Sequence, residues 1–319
     1  MNSPRIVFMG TPEFAVESLR KLVENGYNVA GVVTAPDKPA GKHHSMLQAS
    51  PVKEYALSQN LPLLQPEKLK DAGFLEQLSA WNADLQVVVA FRMLPEAVWN
   101  KPRLGTFNLH ASLLPQYRGA APIQWAIING EKETGVTTFF LTHTIDTGKI
   151  IAQERIPIGT ADTAGIIHDK LMYLGSQLVM ETVDAISNDR VRPIDQKTLV
   201  ANENDLKSAP KIFQETCAID WNKTCDEIYN LIRGLSPYPA AWTVLPTNKG
   251  ESIHCKIFES EKIIQPHRLP SGTIDSEDKK NLKIAASDGF IQIKSIQQAG
   301  KKRMVIEDFL RGNSHLLFD

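Results

Sequence analysis

The chain opens with a short apolar run, Ile6-Val7-Phe8-Met9, closed by Gly10. A run of that length without alternation predicts a strand buried on both faces. Pro12 and Glu13 follow, and Phe14, Val16, Leu19, Leu22 and Val23 then recur at helical spacing up to Gly26. Proline in the first turn and glycine past the end bracket a helix. Further short apolar runs at 29–34, 61–64, 85–90 and 106–109 predict strands, with helical stretches between them. Strands that alternate with helices predict an α/β fold with a doubly wound, mainly parallel, Rossmann-like sheet. Residues 136–141 and 150–158 read as a later strand pair across the turn Asp146-Thr147-Gly148. A long helix is expected over 163–186, carried by Ile166, Ile167, Leu171, Leu174, Leu178 and Val179.

After Asn188 the periodicity fades. Residues 190–207 mix charges with Pro193 and hold no sustained repeat, which reads as a linker. A helix over 222–235 comes next, then short β-like runs separated by turns such as Pro270-Ser271-Gly272 and Ser287-Asp288-Gly289. Short strands at this spacing predict a smaller, OB-like β-barrel. The expected organisation is a first domain over 1–189, a linker over 190–207 and a C-terminal domain over 208–319.

Composition adds limits. Among 319 residues, 35 Lys and Arg face 36 Asp and Glu, so overall charge does not mark a nucleic-acid partner, although a local basic face would not show in the total. Residues 208–319 carry 15 Lys and Arg against 14 Asp and Glu, so any RNA surface there needs charge gathered on one side. Candidates are Lys211, Arg233, Lys301, Lys302 and Arg303, each equally readable as solvated surface. Cys217, Cys225 and Cys255 are too few and too scattered for a disulfide framework or a zinc site, and read as buried thiols in a reducing compartment. The N-terminus runs straight into a strand, and no apolar run is long enough for a bilayer, so a cytoplasmic protein with no membrane partner is expected.

Candidate chemistry gathers at Asn108-Leu109-His110-Ala111-Ser112-Leu113-Leu114-Pro115, with Asp146 some three dozen residues on. Asn108 and His110 lie two apart, on one side of an extended chain. They sit where a strand runs out into a loop, the ligand-binding end of open α/β sheets. An amide can hold an oxyanion, an imidazole can move a proton, and a carboxylate can orient the imidazole. In the following run, Tyr117 and Arg118 are candidates to face an aromatic ligand. His143, near Asp146, is the competing imidazole, but alternation places it on the other side from its neighbours. Gly10-Thr11-Pro12-Glu13 lacks the GxGxxG spacing, which disfavours a nicotinamide cofactor; it reads as a plain strand–helix turn or as a wall of the cleft. The polar stretch 36–50 reads as a solvated loop or a basic finger for phosphates. No partner spacing supports a metal at His43-His44, and no metal is expected.

Several of these segments together resemble one family over nearly the whole chain. They are Phe8-Met9-Gly10-Thr11-Pro12-Glu13-Phe14-Ala15, Ala35-Pro36-Asp37-Lys38-Pro39-Ala40-Gly41, Ser50-Pro51-Val52-Lys53, the Asn108–Pro115 segment, Tyr117-Arg118-Gly119-Ala120-Ala121-Pro122 and Asp146-Thr147-Gly148. Ile219-Asp220-Trp221 and Ile232-Arg233-Gly234-Leu235-Ser236-Pro237-Tyr238-Pro239 continue the match. The chain resembles the methionyl-tRNA formyltransferases, a branch of the 10-formyltetrahydrofolate-dependent transformylases. The Asn-x-His motif belongs to the wider group and specifies the chemistry; the first-turn and Pro-Ala-Gly motifs, with the C-terminal part, point to methionyl-tRNA. The resemblance implies formyl transfer from 10-formyltetrahydrofolate to the α-amine of initiator methionyl-tRNA, by a monomer, for translation initiation. It implies Asn108, His110 and Asp146 as catalytic residues, and Ser112, Leu113, Leu114 and Pro115 as the folate site. Lys38, Lys42 and Arg233 would meet tRNA. Two departures stand out. Lys42 replaces the usual Arg after Pro-Ala-Gly, and the two residue types are not equivalent at a phosphate. Leu141 and His143 are also unusual before the Ile-Asp-x-Gly turn. The alternatives are a transformylase acting on a sugar amine or on glycinamide ribonucleotide, and a non-catalytic RNA-binding protein, against which the intact trio counts.

Overall fold

The computed structural model describes residues 4–40, 46–275 and 280–317; Lys42, His43 and His44 lie outside them. In chain order the first elements are β1 (Ile6–Gly10), α1 (Glu13–Glu24), β2 (Val29–Val33), β3 (Lys38–Ala40), β4 (Met46–Gln48), α2 (Pro51–Ser58), β5 (Leu63–Leu64), α3 (Ala72–Ala80) and β6 (Leu85–Val89). Then come α4 (Glu96–Trp99), β7 (Thr106–His110), β8 (Arg118–Gly119), α5 (Pro122–Ile128), β9 (Glu133–Phe140), β10 (Ile150–Pro157) and α6 (Ala164–Ser187). The rest are β11 (Ser208–Ala209), α7 (Cys225–Leu235), β12 (Ala241–Pro246), β13 (Ser252–Ile264), β14 (Leu282–Ala285), β15 (Gly289–Gln298), β16 (Met304–Val305) and α8 (Ile306–Leu317).

The chain folds as two compact units. The first is built from Met1–Gly119, Thr134–Ile156 and His168–Ser208, the second from Ala120–Glu133, Pro157–Ile167 and Ala209–Asp319. In the first unit seven strands follow the order β10-β9-β7-β6-β1-β2-β5. β1, β2, β5, β6 and β7 run parallel, and β9 joins β7 antiparallel. Ile6, Val7, Phe8 and Met9 are all fully buried, which is why that run does not alternate. After β1 the chain places β2 and β5 on one side, then crosses to β6 and β7 on the other. The switch point lies between β1 and β6, and the carboxyl ends of β1, β6 and β7 flank it.

In the second unit the sheet is antiparallel, in the order β12-β13-β15-β14, with β16 on β15. The sequence predicts a barrel; the pairings among the described residues form this five-stranded sheet without closing it on itself. Ile257, Ile284, Ile293, Ile228, Ile232 and Phe309 build its core. α7 starts with a reciprocal cap, Thr224 and Glu227 each bonding the other's backbone. α5 packs on α7 where Gly234 faces it; a Cβ there would lie 2.7 Å from Ile128 Cγ1 and 3.2 Å from the Gln124 carbonyl oxygen. Among the described residues no helix is long and apolar enough to cross a membrane.

Candidate active site

β7 ends on His110, and the register that buries Phe107 puts Asn108 and His110 on one face. His110 is 6% exposed. Its Nε2 lies 2.8 Å from the Tyr117 carbonyl oxygen, which can only accept, so Nε2 carries the hydrogen. Nδ1 faces Asp146 Oδ2 at 3.9 Å, too long for a direct hydrogen bond. Asp146 Oδ2 accepts instead from the Gly119 amide at 3.0 Å. The carboxylate is thus anchored by backbone, with the imidazole beside it. Asn108 is half-buried, and no hydrogen bond joins its side-chain amide to another described residue.

The backbone around this group is unusual. Ala90 after β6, Tyr117 and Asp146 all have left-handed φ, at 47°, 61° and 53°. Such residues cost about 1–3 kcal/mol each and persist where surroundings over-determine them. At Asp146 the surroundings are Gly148 and Gln196. A Cβ on Gly148 would lie 1.6 Å from the Phe140 carbonyl oxygen, so only glycine lets the turn fold back this closely. Gln196, 1% exposed, donates to the carbonyls of Asp146 at 2.9 Å and Gly148 at 2.7 Å.

Ser112 to Pro115 form the loop after β7. Ser112 is fully buried and donates to the Gln116 carbonyl at 2.7 Å, and Leu114 packs against Phe139 and Ile150. Thr137 of β9 accepts from the Leu114 amide and donates to the Ser112 carbonyl, at 3.1 and 2.6 Å. Gln153 of β10 donates to the Leu114 carbonyl at 2.8 Å. The Ser112 and Leu114 side chains therefore shape this loop from within. Its Leu114–Pro115 bond is cis.

Other expectations fare differently. Tyr117 is 5% exposed, and the half-buried Arg118 turns its guanidinium to Gln196. His143 is exposed, with Nε2 3.7 Å from Glu96 and its ring edge-on to Trp99, 5.3 Å between centroids. It belongs to the α4 neighbourhood and has no part in the His110–Asp146 pair. Arg233, expected to meet tRNA, is 6% exposed, and its Nη1 donates to the carbonyls of Gly159 and Asp162 at 3.3 and 3.0 Å. Its Nε donates to Asn230 Oδ1 at 2.8 Å, within the same unit. Arg303 is likewise engaged, with Glu259 at 2.5 Å and Ser295 at 2.8 Å, while Lys211, Lys301 and Lys302 are exposed. Lys38 is exposed on β3. The loop base beside it is fixed by Lys53 and Gln65, which bond Asp37 at 2.5 and 2.8 Å and hold its carboxyl below the usual range. No cluster of three His, Cys, Asp or Glu suited to a metal occurs among the described residues.

Sequence reasoning missed Gln196, Thr137 and the Tyr117 carbonyl. Gln196 sits in a stretch without periodicity, and a carbonyl leaves no mark in residue type. Asp195 just before it caps a short turn over Gln196–Leu199, a local signal that this stretch is ordered.

The chain matches the Formyl transferase family over residues 4–183 and the Formyl transferase, C-terminal domain family over 211–314. It is 64% identical to the methionyl-tRNA formyltransferase of Bacteroides thetaiotaomicron, over 97% of this chain and 95% of that protein. It is 63% identical to that of Azobacteroides pseudotrichonymphae, over 98% and 97%. Among solved structures, the sugar 3N-formyl transferase WlaRD shares the fold at TM-score 0.65 and 22% identity, covering 95% of this chain and all of that one. HypX from Aquifex aeolicus aligns at TM-score 0.64 and 17% identity over 98% of this chain and 48% of its own. With identity above 60% to two relatives along nearly its full length, this chain belongs to the methionyl-tRNA formyltransferase family.

Proposed function

We propose that this chain formylates initiator methionyl-tRNA, with 10-formyltetrahydrofolate as the formyl donor and N-formylmethionyl-tRNA as product. The observation that carries this reading is the 64% identity that runs through both halves of the chain. The site geometry supports it chemically. The α-amine has a pKa of about 7.7–8.0, so a sizeable fraction is already nucleophilic near neutral pH. The chain must then shelter charge on the formyl oxygen and pass one proton from the amine to the departing folate nitrogen.

The residues divide that work. Asn108, with its amide unengaged at the strand end, donates to the developing oxyanion, a contact typically worth about 3 kcal/mol. His110 has Nε2 committed to the Tyr117 carbonyl, which leaves Nδ1 to take and return the proton. Asp146 Oδ2, beside Nδ1, stabilises the ring while it is cationic, as buried carboxylates do for other catalytic histidines. The backbone of Ser112 to Pro115, held from within by Thr137 and Gln153, lines the folate side. No resident metal is assigned a role.

For the tRNA we propose Lys38, the 36–50 segment that includes Lys42, and exposed Lys211, Lys301 and Lys302 of the C-terminal domain. Neutralising Lys38 and Lys42 together should raise KM for tRNA but not for folate, and flatten the salt slope by roughly one unit per lost phosphate contact. Equal effects on both KM values would place the segment in the folate site.

The deciding assay is transfer of a labelled formyl group to methionyl-tRNA, set against an amino sugar nucleotide and glycinamide ribonucleotide. Transfer to methionyl-tRNA at kcat/KM far above the others is expected. Preference for the sugar would move the chain to the chemistry named for the solved structure WlaRD.

A further inference from the structure

A buried amide with all of its hydrogen-bonding capacity in use holds the Asp146 turn. Gln196 Oε1 accepts twice from one guanidinium, from Arg118 Nε at 3.1 Å and Nη2 at 2.7 Å. Its Nε2 donates twice, to the carbonyls of Asp146 at 2.9 Å and Gly148 at 2.7 Å. A guanidinium can only donate and a carbonyl can only accept, so the amide has one possible orientation. An amide has two donors and two acceptor sites, and every one is occupied at 1% exposure.

What this network clamps is a turn held in an uncommon backbone conformation. Asp146 stands at φ 53°, a left-handed conformation uncommon for a non-glycine residue. Its carboxylate reaches Gly119 N, the neighbour of the same Arg118 that reaches Gln196. Two bridges therefore join the 117–119 segment to the 146–148 turn: Asp146 to Gly119 directly, and Arg118 to both turn carbonyls through Gln196. Tyr117, which takes the His110 Nε2 hydrogen, lies in that same segment. One network thus sets both the acceptor that fixes the imidazole and the carboxylate that faces its free nitrogen.

We infer that Gln196 and Arg118 are positioning residues for the reaction, acting through Asp146 and His110 without touching substrate. The inference rests on the roles proposed above for those two residues. Outer groups that orient a working side chain commonly change activity 10–100-fold when altered, and misplacement by about 1 Å alone can cost 10²-fold.

Gln196→Glu is the discriminating variant. It keeps the shape and the acceptors for Arg118 but turns the two donors toward the turn carbonyls into acceptors. The whole enzyme should keep its thermal midpoint within a few degrees while kcat falls about 10–100-fold, with KM for folate and tRNA nearly unchanged. Arg118→Lys, which retains the charge but lacks the fork, should fall in the same direction by a smaller factor and stands in if Gln196→Glu does not fold. The decisive reading is a double-mutant cycle on single-turnover rates with Asp146→Asn. If Gln196 works through Asp146, adding Gln196→Glu to Asp146→Asn should cost less than threefold. The inference is overturned if the two losses multiply in full, if kcat is unchanged, or if only KM moves. A near-normal Asp146→Asn enzyme would instead sink the proposed role of Asp146, and this inference with it.

Discussion

His110 is tied at one ring nitrogen and open at the other, and that asymmetry makes it testable against His143. Replacing His110 by alanine should lower kcat by about 10²–10⁴-fold, the usual scale for loss of a general acid–base group. Asp146→Asn should fall with it, because Oδ2 bonds Gly119 and faces Nδ1 at once. Both changes should leave KM nearly untouched, since each residue acts mainly on the transition state. His143→Ala should keep kcat within about twofold, as an exposed pair with Glu96 contributes little. Steady-state kinetics on the three folded variants decides the matter; a silent His110→Ala would send the chemistry elsewhere.

At the scale of elements, the Asp146 turn depends on one missing side chain. Gly148→Ala would drive a Cβ into the Phe140 carbonyl, so the turn must move. A loss of about 1–3 kcal/mol, on the order of an overpacked core, is expected in urea melts, together with lost kcat. The start of the sheet is fixed differently. Asp84 accepts from the Arg5 amide at 2.8 Å and from Arg103 Nε at 2.7 Å. The Arg5 backbone bond is the main reason its carboxyl sits below the ordinary 3.8, with Arg103 adding to it. A depressed carboxyl stabilises the fold above the unfolded value and ceases to as pH falls through the folded one. Asp84→Asn should therefore melt earlier than the parent at pH 7, and the gap should start to narrow as pH falls below about 4. A gap that does not narrow at all as pH falls would mean the asparagine costs shape and not charge.

These elements also show what a sequence can and cannot carry. β1 and β6 were legible because both faces of each are buried, so Ile6 to Met9 and Val87 to Val89 are apolar runs without alternation. Asn108 and His110 were legible as a pair because the strand period is two. β13 was only half legible: its register slips between Ile257 and Ser260, and a bulge breaks alternation. The stretch around Gln196 read as a linker because its order comes from side chain to backbone bonds, which have no period. The burial of Arg233 was not legible, because a cation in a sequence looks alike whether it meets phosphate or buried carbonyls.

For the molecule as a whole, all three cysteines lie in the second unit, each at most 3% exposed. Burial pushes the thiols of Cys225 and Cys255 up to about 12, with Asp288 adding to it at Cys225. Thiolate is the reactive form, so the native protein should resist alkylation at neutral pH. Labelling followed by mass spectrometry across a urea series should show all three modified together, and only as the second unit opens. Modification at zero urea would mean that this unit opens locally far more often than its core suggests.

The second unit draws on three separated stretches of chain, and that has a consequence for the order in which the protein is made. Ile123, Ala126 and Ile127 of α5 are buried in the finished protein, where α5 lies against α7. The carbonyls of Gly159 and Asp162 wait for Arg233. At about 5–20 residues per second, the hundred-odd residues from Ile128 to Gly234 take on the order of 5–20 s to synthesise. For that interval a nascent chain carries an apolar helix whose partner does not yet exist, while β9 and β10 are still being added to the first sheet. Ribosome-bound chains stalled near residue 208 should bind hydrophobic dyes and trigger factor-like holdases, and release them once α7 has emerged.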